Sequence, residues 1–212
     1  MNSQTLKNEL IFQYAAGTAS LSKSLMAASY LFLNSKDKST YNFFESFCGE
    51  ELKNSQIIKP SKLSANDCLT ENKQKSHQDQ IIQKNPLNKF FKSYNDLQWK
   101  KIFKGFYEYS INLSTKESAK LIKMDPNAKV PLHSHNGKEF ILVLEGSFCD
   151  EYGKYEKGDL QINDSKIKHT PIACKVEGCI CLTITEQELV FFGPFAPILN
   201  IFTVIKSLFN SK

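Results

Sequence analysis

Two histidines two residues apart, followed four residues later by a glutamate, stand in Pro131-Leu132-His133-Ser134-His135-Asn136-Gly137-Lys138-Glu139. With Gly146 the pattern is H-x-H-x3-E-x6-G. Alternate residues of a strand project from the same face, so both imidazoles can enter one cavity if this segment is extended. A tight turn through Asn136-Gly137 is expected to bring Glu139 back on the adjacent strand, opposite the two rings. Glu145-Gly146 is expected to close the next hairpin.

The surroundings suit that reading. From Trp99 onward the chain alternates short apolar strands with turns. Tyr107–Ile111, Phe140–Leu144 and Ile180–Ile184 read as strands, and Asp125-Pro126-Asn127, Tyr152-Gly153-Lys154 and Lys157-Gly158-Asp159 as turns. Many short strands so spaced indicate a sandwich or a barrel. Upstream, the apolar period is helical. Leu6, Leu10, Ile11 and Tyr14 form one stripe before Gly17, and Ser20 can cap a second helix carrying Leu21, Leu25, Ala28 and Leu31. Asp37 or Ser39 opens a third helix with Tyr41, Phe44, Phe47 and Cys48, which Gly49 is expected to stop.

The expected class is therefore α+β in two domains: helices over 1–52, a lysine-rich linker over 53–95 and an antiparallel β-barrel over 96–212. A short helix opening at Pro86 interrupts the linker. Leu6, Leu10, Tyr14, Leu25, Tyr41 and Phe44 form more apolar face than three short helices can bury among themselves, which marks them as a partner-binding surface. The long polar linker predicts that helices and barrel move independently.

Composition narrows the function. All 27 basic side chains are lysine, so the bidentate forks of phosphate or base readout are missing. Between Lys53 and Lys104 eleven lysines face Asp67, Glu71, Asp79 and Asp96, an excess of +7. Without interleaved aromatics this reads as a solvated linker, and no direct nucleic-acid binding is expected. The apolar run from Leu189 to Ile205 is broken by Gly193, Pro194, Pro197 and Asn200. It reads as a last strand and a short amphipathic helix, not a membrane span. The charged start is no secretory signal. Six cysteines without a C-x-x-C pair read as small buried hydrophobes in a reducing cytoplasm.

A second motif begins at Gly158-Asp159 and places His169 eleven residues after the glycine. That is the spacing of the second cupin motif, G-x5-P-x-G-x2-H, with Asp164 and Lys166 where Pro and Gly usually stand. His133, His135, Glu139 and His169 are thus the expected ligands of one divalent metal. The remaining histidine of four, His77, lies in the linker. Three imidazoles and a carboxylate suit Zn, Fe, Mn, Ni or Cu, so the donors do not name the ion.

The two halves together resemble the ChrR-type anti-sigma factors. In the barrel the resemblance rests on H-x-H-x3-E, on Val143-Leu144-Glu145-Gly146-Ser147-Phe148-Cys149-Asp150-Glu151, on His169-Thr170-Pro171 and on Cys179-Ile180-Cys181-Leu182. In the helices it rests on Tyr14-Ala15-Ala16-Gly17-Thr18 and on Glu45 to Leu52. The resemblance implies helices that hold an extracytoplasmic-function sigma factor away from RNA polymerase. It also implies a zinc-binding cupin needed to release that factor under singlet oxygen or related oxidants. Release is expected to come from a change at the metal or at a nearby thiol, with Cys149, Cys179 and Cys181 as candidates. The family's second zinc site corresponds to Thr5, Tyr30, Asn34 and Asp37, which are poor ligands. An N-terminal zinc is therefore expected to be absent, and the helices to hold by packing through Tyr30, Phe32, Phe43 and Phe47. The alternative is a metal-dependent cupin enzyme of dioxygenase or isomerase type, since such a sphere leaves open positions on the metal.

Overall fold

The computed structural model describes residues 3–54 and 85–194, together with 196, 197 and 200. His77, Cys68, most of the expected linker and the end of the apolar tail lie outside the described residues. Three helices come first: α1 (Ser3–Ala15), α2 (Leu21–Leu33) and α3 (Lys38–Asn54). Gly17 takes φ +68° just after α1, the left-handed position that ends helices cheaply. The Ser20 hydroxyl accepts from the Lys23 N–H at 3.3 Å, capping α2. The expected stop at Gly49 does not occur, and α3 runs five residues further. A glycine on an open helix face costs only about 1 kcal/mol, too little to end a helix held from both sides. At Pro86–Lys89 a single 3-10 turn stands in place of the expected helix.

Ten strands follow in chain order: β1 (Lys100–Phe103), β2 (Phe106–Ile111), β3 (Ser118–Met124), β4 (His133–His135), β5 (Glu139–Asp150), β6 (Gly153–Glu156), β7 (Leu160–Asn163), β8 (Ile172–Ala173), β9 (Cys179–Thr185) and β10 (Leu189–Phe191). The main sheet runs β1-β2-β3-β9-β5-β6, with β7 and β8 also on β5, and every pairing is antiparallel. Two sequence expectations need correction. β4 pairs with β10, not with β5. Glu145-Gly146 is no hairpin turn: β5 continues through it, and the register against β9 shifts between Val143 and Glu145.

That shift is a β-bulge, one extra residue on β5, and it sets which side chains face inward. Before it, Ile141 and Val143 join Met124, Cys179 and Cys181 in the barrel interior, while Phe140, Leu142 and Leu144 face out with Leu182 and Ile184. After it, the even-numbered Phe148 is the residue in the interior cluster. Gly146 makes the bulge feasible. It sits at φ +67°, and a Cβ there would lie 2.2 Å from the Gly178 carbonyl oxygen.

The outward face of this sheet is where the helices lie. Leu10, Ile11, Leu25, Met26, Ala27, Tyr30, Leu31 and Tyr41 form one apolar cluster with Leu121, Phe140, Leu142, Leu182 and Ile184, joined by Leu87 and Leu97 from the connecting segment. Both faces of β5 are thus covered, which is why Phe140–Leu144 reads as an unbroken apolar run. Polar contacts pin the same interface: Asn34 Nδ2 donates to the Gly158 carbonyl at 2.8 Å, Ser22 Oγ meets Thr115 Oγ1 at 2.6 Å, and Lys23 pairs with Glu186 at 2.7 Å. The expected independence of helices and barrel is not what the described residues show. They share a core, because the helical stripe and the outer sheet face each need the other to leave water.

Candidate metal centre

The two motifs meet through the backbone. His133 N–H donates to the His169 carbonyl at 3.1 Å, and His169 N–H returns the bond to His133 at 3.0 Å. This antiparallel bridge sets the two rings side by side, with His133 Nε2 and His169 Nε2 3.1 Å apart. His135, two residues along β4, brings its Nε2 to 3.0 Å from Glu139 Oε1, and Glu139 Oε2 lies 3.5 Å from His169 Nε2. The ligand atoms of all four residues lie within 4.8 Å of one another, and all four side chains are buried.

Their polar partners indicate what the group can hold. His133 Nδ1 lies 2.9 Å from the Pro131 carbonyl and His169 Nδ1 3.0 Å from Asp150 Oδ2, so both rings donate from Nδ1 and turn Nε2 toward the centre. Among the described residues His135 Nδ1 has no hydrogen-bond partner, while its Nε2 faces Glu139 Oε1. A buried imidazole nitrogen without a partner costs stability unless something absent from the protein atoms satisfies it. Two nitrogens bound about 2.1 Å from one ion stand roughly 3.0–3.4 Å apart, the separation that His133 and His169 keep. The residues fit a divalent ion. When bound, such an ion would supply a positive charge that the Glu139 carboxylate neutralises in part.

Charges in the centre are set by competition between burial and neighbours. For Glu139 burial alone would raise the pKa, but the imidazoles of His135 and His169 prevail and hold the carboxylate well below its ordinary range. Burial pushes His133 down to about 4, with the adjacent imidazoles adding to the effect. Burial opposes the charged form of His169 too, yet hydrogen bonds to Asp150 and Glu139 outweigh it and raise the ring to about 9. Asn163 steadies Glu139 by donating to Oε2 at 3.2 Å. Sequence reasoning missed Asp150, Gln161 and Asn163 around the four. The available signal was three polar side chains that fall in or at the ends of otherwise apolar strand runs.

The remaining expected residues are scattered. Cys179 and Cys181 lie in the barrel interior with sulfurs 4.0 Å apart, and the Cys179 thiol, then burial, pushes Cys181 upward, away from the reactive thiolate. Cys149 is exposed on the outside. Of the expected partner face, Leu10, Leu25 and Tyr41 are buried in the shared core, and Leu6, Tyr14 and Phe44 pack half-buried against it. That stripe turned inward because the sheet needed covering. Phe43 and Phe47, expected to pack the helices together, are 67% and 51% exposed, beside Phe12 at 39%. Phe44 lies between them, its ring 5.4 Å from Phe12 and 5.6 Å from Phe43.

Of Thr5, Tyr30, Asn34 and Asp37, the four positions expected to be poor zinc ligands, three form a hydrogen-bonded group. The Tyr30 hydroxyl donates to Asp37 Oδ2, Asp37 pairs with Lys7 at 3.4 Å, and Asn34 Nδ2 donates to the Tyr30 carbonyl at 3.1 Å as well as to Gly158. Thr5 is exposed and apart from them.

Residues 88–188 match the family described as the ChrR cupin-like domain. The chain is 26% identical over 199 residues to the anti-sigma-E factor ChrR of Cereibacter sphaeroides, covering 91% of this chain and 93% of that protein. It also matches the crystal structure of Rhodobacter sphaeroides SigE in complex with the anti-sigma ChrR. There the TM-score is 0.69 and the identity 26%, over 84% of this chain and 96% of the matched one. A likeness to KdgF from Halomonas sp. covers 45% of the chain at 17% identity and a TM-score of 0.39, too low to carry an argument. Among the described residues no helix is long and apolar enough to cross a membrane. The chain is an α+β protein whose residues 88–188 match the ChrR cupin-like domain and which resembles the ChrR-type anti-sigma factors through both its helices and its barrel.

Proposed function

We propose that this protein is a regulator that sequesters an extracytoplasmic-function sigma factor through its helical layer. In this reading the barrel binds one divalent metal through His133, His135, Glu139 and His169, and an oxidative signal at that centre releases the partner in the cytoplasm. The observation that carries it is the similarity to ChrR over 91% of the chain, helices included. The exposed aromatic group Phe12, Phe43 and Phe47 supplies a binding face on the side of the helical layer left uncovered by the barrel. Zinc is the metal that the resemblance suggests. The helices need no second zinc, because Lys7, Tyr30 and Asp37 tie α1, α2 and the turn leading into α3 together. Burial of all four proposed ligands favours a sensing centre over an enzyme site, which must admit a substrate.

The test is retention of an extracytoplasmic-function sigma factor from the same genome by the immobilised full-length protein. Wild type is expected to hold it one to one and to release it under singlet oxygen. Phe43→Glu/Phe47→Glu is expected to bind at least ten-fold more weakly with an unchanged melting temperature. His133→Ala/Glu139→Ala is expected to keep its partner under oxidant. Failure of wild type to retain any such factor, together with metal-dependent turnover of a small substrate, would overturn the proposal in favour of the cupin enzyme.

A further inference from the structure

Asp150 is the last residue of β5, and its side chain is entirely shielded from solvent although it carries a charge. Each of its oxygens is fully engaged. Oδ1 accepts from the backbone N–H of Tyr152 at 2.9 Å and of Gly153 at 3.2 Å. Oδ2 accepts from His169 Nδ1 at 3.0 Å and from Gln161 Nε2 at 2.7 Å. Those four donors fill the lone pairs that a carboxylate offers, so Asp150 has none left for a metal of its own. It reaches His169 only because the bulge at Gly146 reverses the inward parity. On a regular strand, residues 139 and 150 would face opposite ways.

Gln161 adds an independent sign. Its Nε2 also donates to the Tyr155 hydroxyl at 2.9 Å, while among the described residues its buried Oε1 has no hydrogen-bond partner. A buried amide oxygen left unpaired costs stability, and turning the amide over would set that oxygen against the Asp150 carboxylate. The orientation serves Asp150, not the fold. Tyr155 stacks on Phe148 at 5.0 Å and borders a crevice of about 320 Å³ lined by Lys7, Tyr30 and Asn34 of the helical layer and by Gly158 and Asp159 of the barrel.

We propose that Asp150 is the positioning residue of the metal centre. It fixes His169 with Nδ1 protonated and Nε2 free to bind, and Gln161 and Tyr155 link its placement to the crevice against α1 and α2. This inference rests on the metal-binding reading above. Outer carboxylates of this kind raise the basicity of a ligating imidazole and lock its tautomer. An asparagine cannot substitute. Its NH2 would face either the two backbone donors or Gln161 and His169, and the latter clash is relieved only by moving the imidazole proton to Nε2, where the metal belongs.

The experiment measures the dissociation constant for Zn²⁺, by competition with a chromophoric chelator, and the visible absorption of the Co²⁺-loaded full-length protein. The proteins compared are wild type, Asp150→Asn, Gln161→Leu and His133→Ala/His135→Ala. Asp150→Asn is expected to bind roughly 10- to 100-fold more weakly, with a shifted Co²⁺ spectrum. Gln161→Leu leaves the Tyr152 and Gly153 contacts intact. It is expected to weaken binding in the same direction by a smaller factor, which keeps the proposal testable if Asp150→Asn does not fold. Wild-type affinity and spectrum in a folded Asp150→Asn or in Gln161→Leu would overturn the proposal. Equal metal content in wild type and the double-histidine variant would instead remove the metal-binding reading beneath it.

Discussion

Leu31→Ala tests whether helices and barrel are one cooperative unit. Leu31 lies on α2, fully buried in the cluster that also holds Leu182 and Ile184 of the sheet. The substitution removes three carbons, and at about 0.8 kcal/mol per buried methylene the lost transfer energy is roughly 2.4 kcal/mol. Surrounding atoms collapse only partly into the gap, and such changes cost about 2.7–5.0 kcal/mol in the best-studied series. An expectation of about 3 kcal/mol follows, or a fall in melting temperature of roughly 6–12 °C at about 2–4 °C per kcal/mol for a chain of this size. The assay has a built-in pair of reporters. Helical circular dichroism follows α1 to α3. The single tryptophan, Trp99, sits just before β1, packs on the shared cluster and donates from Nε1 to the Tyr94 carbonyl at 2.9 Å. Both signals are expected to melt together in wild type and to fall together in the variant. An early loss of helix with an unmoved Trp99 transition would refute the shared core and restore the picture of two independent domains.

Three more outcomes follow from named contacts. Gly146→Ala should cost more than about 2 kcal/mol and lower metal content, since its Cβ would collide with the Gly178 carbonyl at 2.2 Å in a left-handed backbone; a variant that melts with wild type and keeps its metal would refute the bulge argument. A double-mutant cycle over Tyr30→Phe and Asp37→Ala should show coupling of about 1–2 kcal/mol in denaturant midpoints, because the hydroxyl donates to a charged acceptor; simple additivity would dissolve the group that ties the helices. Glu186 is held below the ordinary carboxylate range: burial opposes this, but the Lys23 ammonium and the Lys138 N–H outweigh it. A depressed folded value means the stabilisation is present above about pH 4.3, the unfolded value, and is lost as pH falls through the folded one. The stability gap between wild type and Glu186→Gln seen at pH 6 should therefore close toward pH 3, and a constant gap would count against a stabilising Lys23–Glu186 pair.

The sequence was most readable where chemistry and period coincide. His133, His135, Glu139 and His169 come together because two of them share a strand face and the other two arrive at spacings a barrel can close. What period alone could not convey was partnership. The stripe of Leu10, Leu25 and Tyr41 looks the same whether it meets a foreign protein or the back of its own sheet. Only the buried outer face of Phe140, Leu142 and Leu144 decides between them, and that face was hidden inside an apolar run which reads equally well as interior. The bulge was illegible for a related reason. Glu-Gly resembles a turn locally, and one extra residue on β5 shows itself only against the register of β9. With the bulge went Asp150, whose parity in a regular strand points away from the site.

The shared core changes what a release mechanism has to accomplish on the proposed function. The candidate metal ligands and the helices sit on opposite faces of the same sheet, one residue apart along β5, with Glu139 inside and Phe140 outside. A signal need cross only the thickness of that sheet, and two physical routes do so. One is the turn between His135 and Glu139: the Lys138 N–H donates to Glu186 at 3.0 Å, Glu186 holds Lys23 of α2, and the Lys138 ammonium reaches Glu9 of α1 at 3.3 Å. The other runs from His169 through Asp150 and Gln161 to Tyr155 at the crevice. Both end on α1 or α2, whereas the exposed Phe43 and Phe47 are on α3, which packs on α1 through the Phe12–Phe44 and Tyr14–Tyr41 ring contacts. Movement of α1 over the sheet is therefore the economical way to disturb the binding face without opening the core. An amide-exchange comparison of metal-loaded and metal-stripped protein should place the largest change in α1. Changes confined to β4 and β5, with α1 unaffected, would mean the two faces are not coupled.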